Sequence, residues 1–205
     1  MNAPVDDGYV KYTSVCRDGT VPTSAALDEL NRARTVLFDL RLVGAYPNGV
    51  GYGNLSIRTQ GLEFVITASA TGSLRTLQHA HYCLVESFSV EGNWVHSRGG
   101  MQASSESMTH GAIYAAHPQV YCVMHVHSRA LFDDLIGNGS LTTPADVPYG
   151  TPAMAQAVSA LVASQSGLPI VFAMEGHDEG VVAYGQDIAS TLTALIELLK
   201  RTASL

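Results

Sequence analysis

Apolar residues recur at helical spacing in five stretches of the chain. The longest stretch runs from Leu27 to Leu42 and ends before Gly44, which is typical of a helix stop. Thr23 or Ser24 is suitable as the N-cap of this helix. The other stretches predict helices over residues 106–117, 128–135, 152–162 and 187–199.

Short apolar or alternating runs between these stretches predict β-strands. They cover residues 55–58, 64–67, 84–95, 121–127, 169–174 and 181–184, with a hairpin turn at residues 91–93. A glycine-rich loop of residues 46–54 leads into the first strand, and small residues at 68–72 follow the second. Residues 1–22 show no long period and predict an N-terminal arm that leads into the first helix.

The composition describes a well-buried protein with few surface charges. We expect one domain over residues 1–205, with 46% hydrophobic and 14% charged residues. So lean a surface favours coverage by partner subunits. The net charge of −7 argues against nucleic-acid and anionic-membrane partners, both of which require clustered Lys and Arg. A small-molecule substrate fits this composition better.

The cysteines and the lengths of the apolar runs indicate the cellular compartment of the protein. The three cysteines are widely spaced and form no CxxC motif, so they indicate neither a disulfide framework nor a zinc ribbon. Free thiols fit a reducing compartment. No signal-peptide pattern opens the chain, and no apolar run reaches transmembrane length. These features predict a cytoplasmic protein.

Three histidines stand where a metal could be bound. His125 and His127 end a predicted strand and project to the same side, because alternate residues of a strand share a face. Such a pair alone is often only two polar residues on a half-solvated sheet. His177 lies on a turn between two apolar strands, and would make a third ligand. Three protein ligands with an open position are typical of catalytic zinc.

An acidic residue and several small residues could complete a site. Glu106 opens a predicted helix after Ser104 and Ser105, which are suitable N-caps, and free N–H groups at a helix start attract anions. Alone, Glu106 would be an ordinary first-turn glutamate. The small residues at 46–54 and 68–72 would let backbone N–H groups approach a phosphate or carboxylate, although such a loop, taken alone, is more often a plain hairpin connection. Neither loop contains a lysine, which excludes a Walker-type nest.

Several motifs, in this order along the chain, resemble the class II aldolase/adducin family. They are Gly53–Ser56, Ile66-Thr67 with Thr71-Gly72, Ser104–Glu106, Ala112-Ile113-Tyr114, His125-x-His127, Pro148–Pro152 and His177 with Gly180–Ala183. The resemblance spans roughly residues 24–200, and the ordered set is more specific than any one motif. It implies an α/β fold, a three-layer α/β/α domain with a mainly antiparallel central sheet. It also implies a homotetramer with active sites at subunit interfaces.

The resemblance assigns roles to individual residues. It implies that His125, His127 and His177 bind Zn²⁺ or another divalent ion such as Mn²⁺, and that Glu106 is the acidic catalytic residue. It implies a substrate phosphate cradle formed by Asn54, Thr71, Gly72, Ser104 and Ser105. The expected activity is that of a zinc-dependent lyase, which cleaves a C–C bond of a small hydroxy-ketone, such as a sugar phosphate, through a metal-stabilised enediolate.

Departures from the family pattern keep other activities open. The segment 66–72 is about two residues longer than the family's turn, which weakens the expectation of phosphate binding. Asp178 and Glu179 separate His177 from the next glycine; they either add an acidic group near the metal or lengthen the turn, and the longer turn is favoured. No tyrosine follows the last predicted helix, where aldolases and epimerases of the family have a catalytic one. Glutamate rather than aspartate at position 106 disfavours an epimerase.

Three alternatives therefore accompany the lyase. A decarboxylase or dehydratase could use the same metal site, with Thr71 and Ser105 holding a carboxylate. A non-catalytic, adducin-like assembly module would keep only the fold, although retention of the three histidines and Glu106 argues against it. Metal-dependent hydrolysis ranks lowest.

Overall fold

The computed structural model describes residues 9–203, which contain five α-helices. They are α1 (Ala25–Asp39), α2 (Ser107–Ala116), α3 (Arg129–Gly137), α4 (Pro152–Ala163) and α5 (Ile188–Thr202). All five correspond to helices predicted from the apolar spacing. Within the described part of the chain, none of them has the length and apolar character needed to cross a bilayer.

The same residues form a large, mostly antiparallel sheet. The strands are β1 (Thr13–Arg17), β2 (Gly44–Ala45), β3 (Gly51–Tyr52), β4 (Asn54–Arg58), β5 (Phe64–Thr67), β6 (Tyr82–Ser89), β7 (Trp94–Gly99), β8 (Cys122–His127), β9 (Thr142–Thr143), β10 (Ile170–Met174) and β11 (Gly180–Gly185). Nine of them follow the order β1-β7-β6-β5-β4-β8-β11-β10-β9, and β2 and β3 form a separate ribbon. Only the β1–β7 and β9–β10 pairs of the large sheet are parallel.

The first helix ends earlier than its apolar spacing predicts. Ser24 is its N-cap, as expected, and its hydroxyl accepts a hydrogen bond from the Leu27 amide at 3.1 Å. At the other end Arg41 has a left-handed backbone (φ 60°), and the Leu42 amide donates to the Leu37 carbonyl at 2.8 Å. This turn, rather than Gly44, ends the helix. Leu42 is buried in the core although it lies beyond the helix, and this is why the apolar spacing predicted a longer helix.

The predicted arm contains a strand, β1, that pairs with β7 at the edge of the sheet. Ser14 is the only half-buried residue of β1, and the other four are exposed. Without a buried face, the strand shows no apolar alternation that could have indicated it. The predicted hairpin at residues 91–93 is confirmed between β6 and β7. Residues 1–8 of the arm lie outside the described residues.

Two hydrophobic clusters lie against β8 from opposite sides. Met124 and Val126 belong to one cluster, together with residues of α1, α3 and α5. Val123 belongs to the other cluster, together with residues of α2 and α4. By alternation along the strand, His125 and His127 share the face of Val123. The end of β8 therefore presents both histidines toward the side on which α2 and α4 begin.

Candidate metal centre

The pairing of β8 with β11 brings the three histidines together. His127 lies opposite Gly180 in the β8–β11 register, so the turn that precedes β11 reaches the end of β8 and places His177 there. The ligand atoms of His125, His127 and His177 all lie within 4.8 Å of one another. Their rings are 4.7–5.0 Å apart, centroid to centroid. Each of the three residues is at most 4% exposed.

The chemistry of this donor set fits a divalent metal ion. Three imidazoles are suitable ligands for zinc, and the neutral ring is the form that binds it. Burial, and then the neighbouring His127 and His177, hold the pKa of His125 well below its usual value, so this ring is neutral at physiological pH. Its Nε2 is buried and has no hydrogen-bond partner among the described residues. A metal ion would satisfy that nitrogen.

Two of the rings are held by residues from other elements. Asn54 lies directly opposite His125 in the β4–β8 register, and its Nδ2 lies 3.3 Å from His125 Nδ1. The Tyr149 ring stacks on the His177 ring, with centroids 4.1 Å apart and an angle of 17° between the planes. The amide of Tyr149 donates to the Gly176 carbonyl at 3.2 Å, which ties the two segments together beside the stacked rings.

The third ring is held by a polar network that joins two loops. The Tyr46 hydroxyl lies 2.9 Å from His127 Nδ1 and donates to Glu179 Oε2 at 3.1 Å. Arg129 lies 3.6 Å from Glu179 Oε1 and pairs with Asp178 at 2.6 Å. The Asp178 side chain is 78% exposed. The segment after His177 forms a turn into β11, and the Glu179 carboxylate is linked to His127 through the Tyr46 hydroxyl.

Glu106 lines the same small cavity as the three histidines. It is 2% exposed; its Oε2 accepts a hydrogen bond from the Thr109 hydroxyl at 2.8 Å, and its Oε1 is buried without a partner among the described residues. The predicted N-cap role of Ser104 and Ser105 is wrong, because α2 begins one residue later and Glu106 occupies the cap position. Ser104 instead supports the turn, where its carbonyl accepts from the Ser107 hydroxyl at 2.7 Å.

The residues of the expected cradle line a second cavity of about 40 Å³. All five are present in its wall: Asn54, Thr71, Gly72, Ser104 and Ser105. Asn54 and Ser105 also line the cavity of the histidines, so the two cavities adjoin. Among the described residues, the wall of the second cavity contains no charged side chain. We call this set of residues the cradle.

A buried arginine of α1 stabilises the cradle loop through hydrogen bonds to its backbone carbonyl oxygens. Arg34 of α1 is 2% exposed, and its guanidinium donates to the carbonyl oxygens of Thr71 at 3.0 Å and Leu74 at 2.6 Å. The C=O and N–H groups of a peptide point in opposite directions, so these bonds turn the following N–H groups away from the arginine. Sequence analysis missed this residue, although a signal existed: Arg34 occupies the apolar stripe of α1 between Leu30 and Leu37.

One turn after Glu106, a further buried histidine supports the sheet beneath the site. His110 is fully buried, and its Nδ1 lies 2.7 Å from the Ser56 hydroxyl, which lies 2.7 Å from the Tyr114 hydroxyl. Burial lowers the pKa of His110 to about 3. The ring is therefore neutral under physiological conditions, and it supports the site rather than binding at it.

Comparisons with known proteins agree with this geometry. The model of the Class II Aldolase and Adducin N-terminal domain matches residues 45–132. No curated protein matches the chain.

Several solved structures share the fold at low identity. YgbL from Klebsiella pneumoniae, for which aldolase, epimerase and decarboxylase activities have been suggested, is 20% identical, with a TM-score of 0.62 over 87% of this chain and 86% of that chain. L-fuculose-1-phosphate aldolase from Thermus thermophilus is also 20% identical, with a TM-score of 0.59 over 86% of this chain and 90% of that chain. A sugar-phosphate aldolase from Thermotoga maritima is 18% identical, with a TM-score of 0.61 over 87% of this chain and 92% of that chain. The resemblance drawn from the sequence is therefore confirmed: residues 45–132 match the class II aldolase/adducin family, and the chain has the fold of class II aldolases.

Proposed function

We propose that the protein is a metal-dependent lyase that cleaves a C–C bond of a small hydroxy-ketone. His125, His127 and His177 would hold Zn²⁺ or another divalent ion such as Mn²⁺. The observation that carries the proposal is the convergence of three buried imidazoles, with a buried carboxylate in the wall of the same cavity. Sugar-phosphate aldolases among the structural relatives support this reaction class.

The residues of the site would have separate roles in the reaction. A bound divalent ion supplies electrostatic stabilisation of the negative charge that develops on the substrate's oxygens. Glu106 moves the proton at Oε1, while the hydrogen bond from Thr109 to Oε2 fixes the orientation of the carboxylate. The burial of Glu106 and the histidines keeps bulk water from the reacting atoms.

The cradle would bind the anionic end of the substrate. Asn54, Thr71, Gly72, Ser104 and Ser105 offer hydroxyl, amide and backbone N–H donors around one cavity that adjoins the histidines. With no charged side chain among the described residues of the wall, the anion would be held by directed hydrogen bonds rather than by an ion pair. A phosphate or a carboxylate could be held in this way.

A decarboxylase or dehydratase on the same metal site is the second candidate. The longer segment before Gly72 favours it, with Thr71 and Ser105 holding a carboxylate. The activities suggested for YgbL include decarboxylation. A non-catalytic, adducin-like assembly module is the third candidate, and it requires neither the cluster nor Glu106.

The assembly and location expected from the sequence belong to this proposal as well. We infer a single three-layer domain, a cytoplasmic location and a homotetramer with active sites at subunit interfaces. Supporting observations are the two hydrophobic clusters on opposite sides of β8, for the layers, and the low fraction of charged residues in the sequence, for the assembly. Analytical ultracentrifugation would measure the assembly directly.

Metal analysis combined with a substrate panel tests the proposal. Wild-type protein should contain about one divalent ion per chain, and His177→Ala should lose it. Glu106→Gln should retain the ion but lose turnover of hydroxy-ketones, their phosphates and keto-acids. A wild type that takes up no divalent ion after reconstitution would overturn the lyase and favour the assembly module. Retention of full turnover by Glu106→Gln would remove Glu106 from the mechanism.

A further inference from the structure

Two loops that lie far apart in sequence meet at His127. Tyr46 belongs to the loop between β2 and β3, and Glu179 belongs to the turn between β10 and β11. The Tyr46 hydroxyl lies 2.9 Å from His127 Nδ1 and 3.1 Å from Glu179 Oε2. Tyr46 therefore connects a carboxylate to a histidine of the cluster.

The chemistry of the three groups sets the direction of these hydrogen bonds. A carboxylate can only accept, so the single proton of the Tyr46 hydroxyl is donated to Glu179. The hydroxyl oxygen must then accept at His127, which requires a proton on Nδ1. In the neutral ring, which is the form that binds a metal ion, the lone pair then lies on Nε2. The orientation and tautomer of a metal-binding histidine are generally set by such a partner.

The backbone at Glu179 indicates that the side chain has a role of its own. Glu179 has a left-handed backbone (φ 64°), a conformation that glycine adopts without cost and other residues do not. At this position a glutamate is therefore less favourable for the backbone conformation than a glycine would be. The carboxylate instead bonds to Tyr46 and lies 3.6 Å from Arg129, which fixes its position. Residues kept in strained conformations often serve a site.

We propose that Glu179 and Tyr46 are positioning residues that preset His127 for metal binding, with Nδ1 protonated and Nε2 directed at the ion. This inference deepens the proposed function and rests on metal binding by the histidine cluster. The pair would raise the affinity of the centre for a divalent ion without touching the substrate. It also gives a function to Glu179, one of the two residues that lengthen the turn after His177.

The tautomer of His127 can be measured in the metal-free protein. Long-range ¹H–¹⁵N NMR spectra of selectively labelled histidine should show His127 protonated at Nδ1 in the wild type. In Tyr46→Phe the signal should move toward a mixture of tautomers, because the acceptor at Nδ1 is lost. An unchanged His127 tautomer in Tyr46→Phe would overturn the inference, whatever the metal content of the protein.

Metal affinity provides the second measurement. Competition with a chromogenic chelator should show Zn²⁺ binding weakened about 10- to 100-fold in Tyr46→Phe, the usual effect of losing such a partner. Glu179→Gly should weaken binding as well, yet it should unfold no earlier than wild type, because glycine relieves the left-handed backbone. Since Glu179 acts through Tyr46, the double variant should bind no more weakly than Tyr46→Phe alone. Asp39→Asn, which removes an exposed carboxylate paired with Arg75 outside this network, is the matched control and should leave the affinity unchanged.

The outcomes separate this inference from the proposed function. Stoichiometric Zn²⁺ in wild type, with equal affinity in Tyr46→Phe and Glu179→Gly, would overturn the positioning role and leave the lyase standing. A wild type that binds no divalent ion would overturn both. A Glu179→Gly variant that loses stability and affinity together would mean that the residue supports the fold of the turn rather than His127.

Discussion

The histidine cluster and the cradle share a cleft but are constructed differently. The cluster consists of side chains on β8 and on the turn between β10 and β11, and its ligand atoms converge on one point. The cradle consists of backbone and small side chains, and hydrogen bonds from Arg34 to backbone carbonyl oxygens hold its loop in place. The first region is specified by which side chains are present, whereas the second is specified by the path of the backbone. Substitutions should therefore affect metal binding in one region and substrate affinity in the other.

The largest effect should come from removing a ligand of the cluster. In His127→Ala we expect metal affinity to fall by more than the roughly 10- to 100-fold that loss of a supporting partner costs, because the bond to the ion itself is lost. Elemental analysis after dialysis measures this. His79→Ala, which removes a half-exposed histidine outside the site, should keep its metal. A His127→Ala protein with full metal content would refute the assignment of the centre.

Acid should destabilise the fold beneath the histidine cluster, where His110 is buried. The unfolded chain takes up a proton at His110 near the ordinary pKa of 6.5, but the folded protein does so only near 3. The contribution of a neutral His110 is therefore complete above pH 6.5 and is lost as the pH falls toward 3. It amounts to at most about 5 kcal/mol. Urea unfolding of metal-free protein at pH 7 and 4.5 should show a smaller loss for His110→Gln than for wild type, and equal losses would contradict the prediction.

The cradle can be tested by adding a single methyl group. A Cβ at Gly72 would overlap the Gly44 carbonyl oxygen and come within 2.7 Å of the Gly51 Cα. Gly72→Ala should therefore displace the loop, cost stability near the upper end of about 1–3 kcal/mol, and raise KM while metal content stays unchanged. Gly100→Ala, with no atom within 4 Å of the added Cβ, is the matched control. An unchanged KM in Gly72→Ala would separate the loop from substrate binding.

Arg34 should have the smallest of these effects. Arg34→Met leaves the carbonyl oxygens of Thr71 and Leu74 without their donor, at a cost of about 1–2 kcal/mol. We expect a higher KM with unchanged metal content, measured by steady-state kinetics and elemental analysis. Arg75→Met, which removes an exposed arginine paired with Asp39, should change neither quantity. Loss of metal in Arg34→Met would show that the two halves of the cleft are not independent.

The same contrast explains what could be predicted from the sequence. The helices, most strands and the histidines follow from spacing, because a period of two or 3.6 directly states which side chains share a face. Tyr46 was missed because it lies in a loop that was notable only for its glycines, and its bond to His127 depends on how the loop folds back. Arg34 was missed because a charged residue among apolar positions looks like a break in the buried face of the helix, and not like a buried residue with a role of its own. Strand β1 was missed because its pairing is carried by backbone groups alone.

The position of β8 has a further consequence for how an ion would enter. This strand lies between β4 and β11, and all six of its residues are buried. Its amides should exchange with deuterium only through global unfolding, so His125 and His127 keep their places whether or not a metal is present. Uptake of an ion would then cost little ordering of the chain. On binding, the increase in protection from deuterium exchange should occur mainly in the turn that carries His177, because an ion would connect this turn to the already protected strand β8.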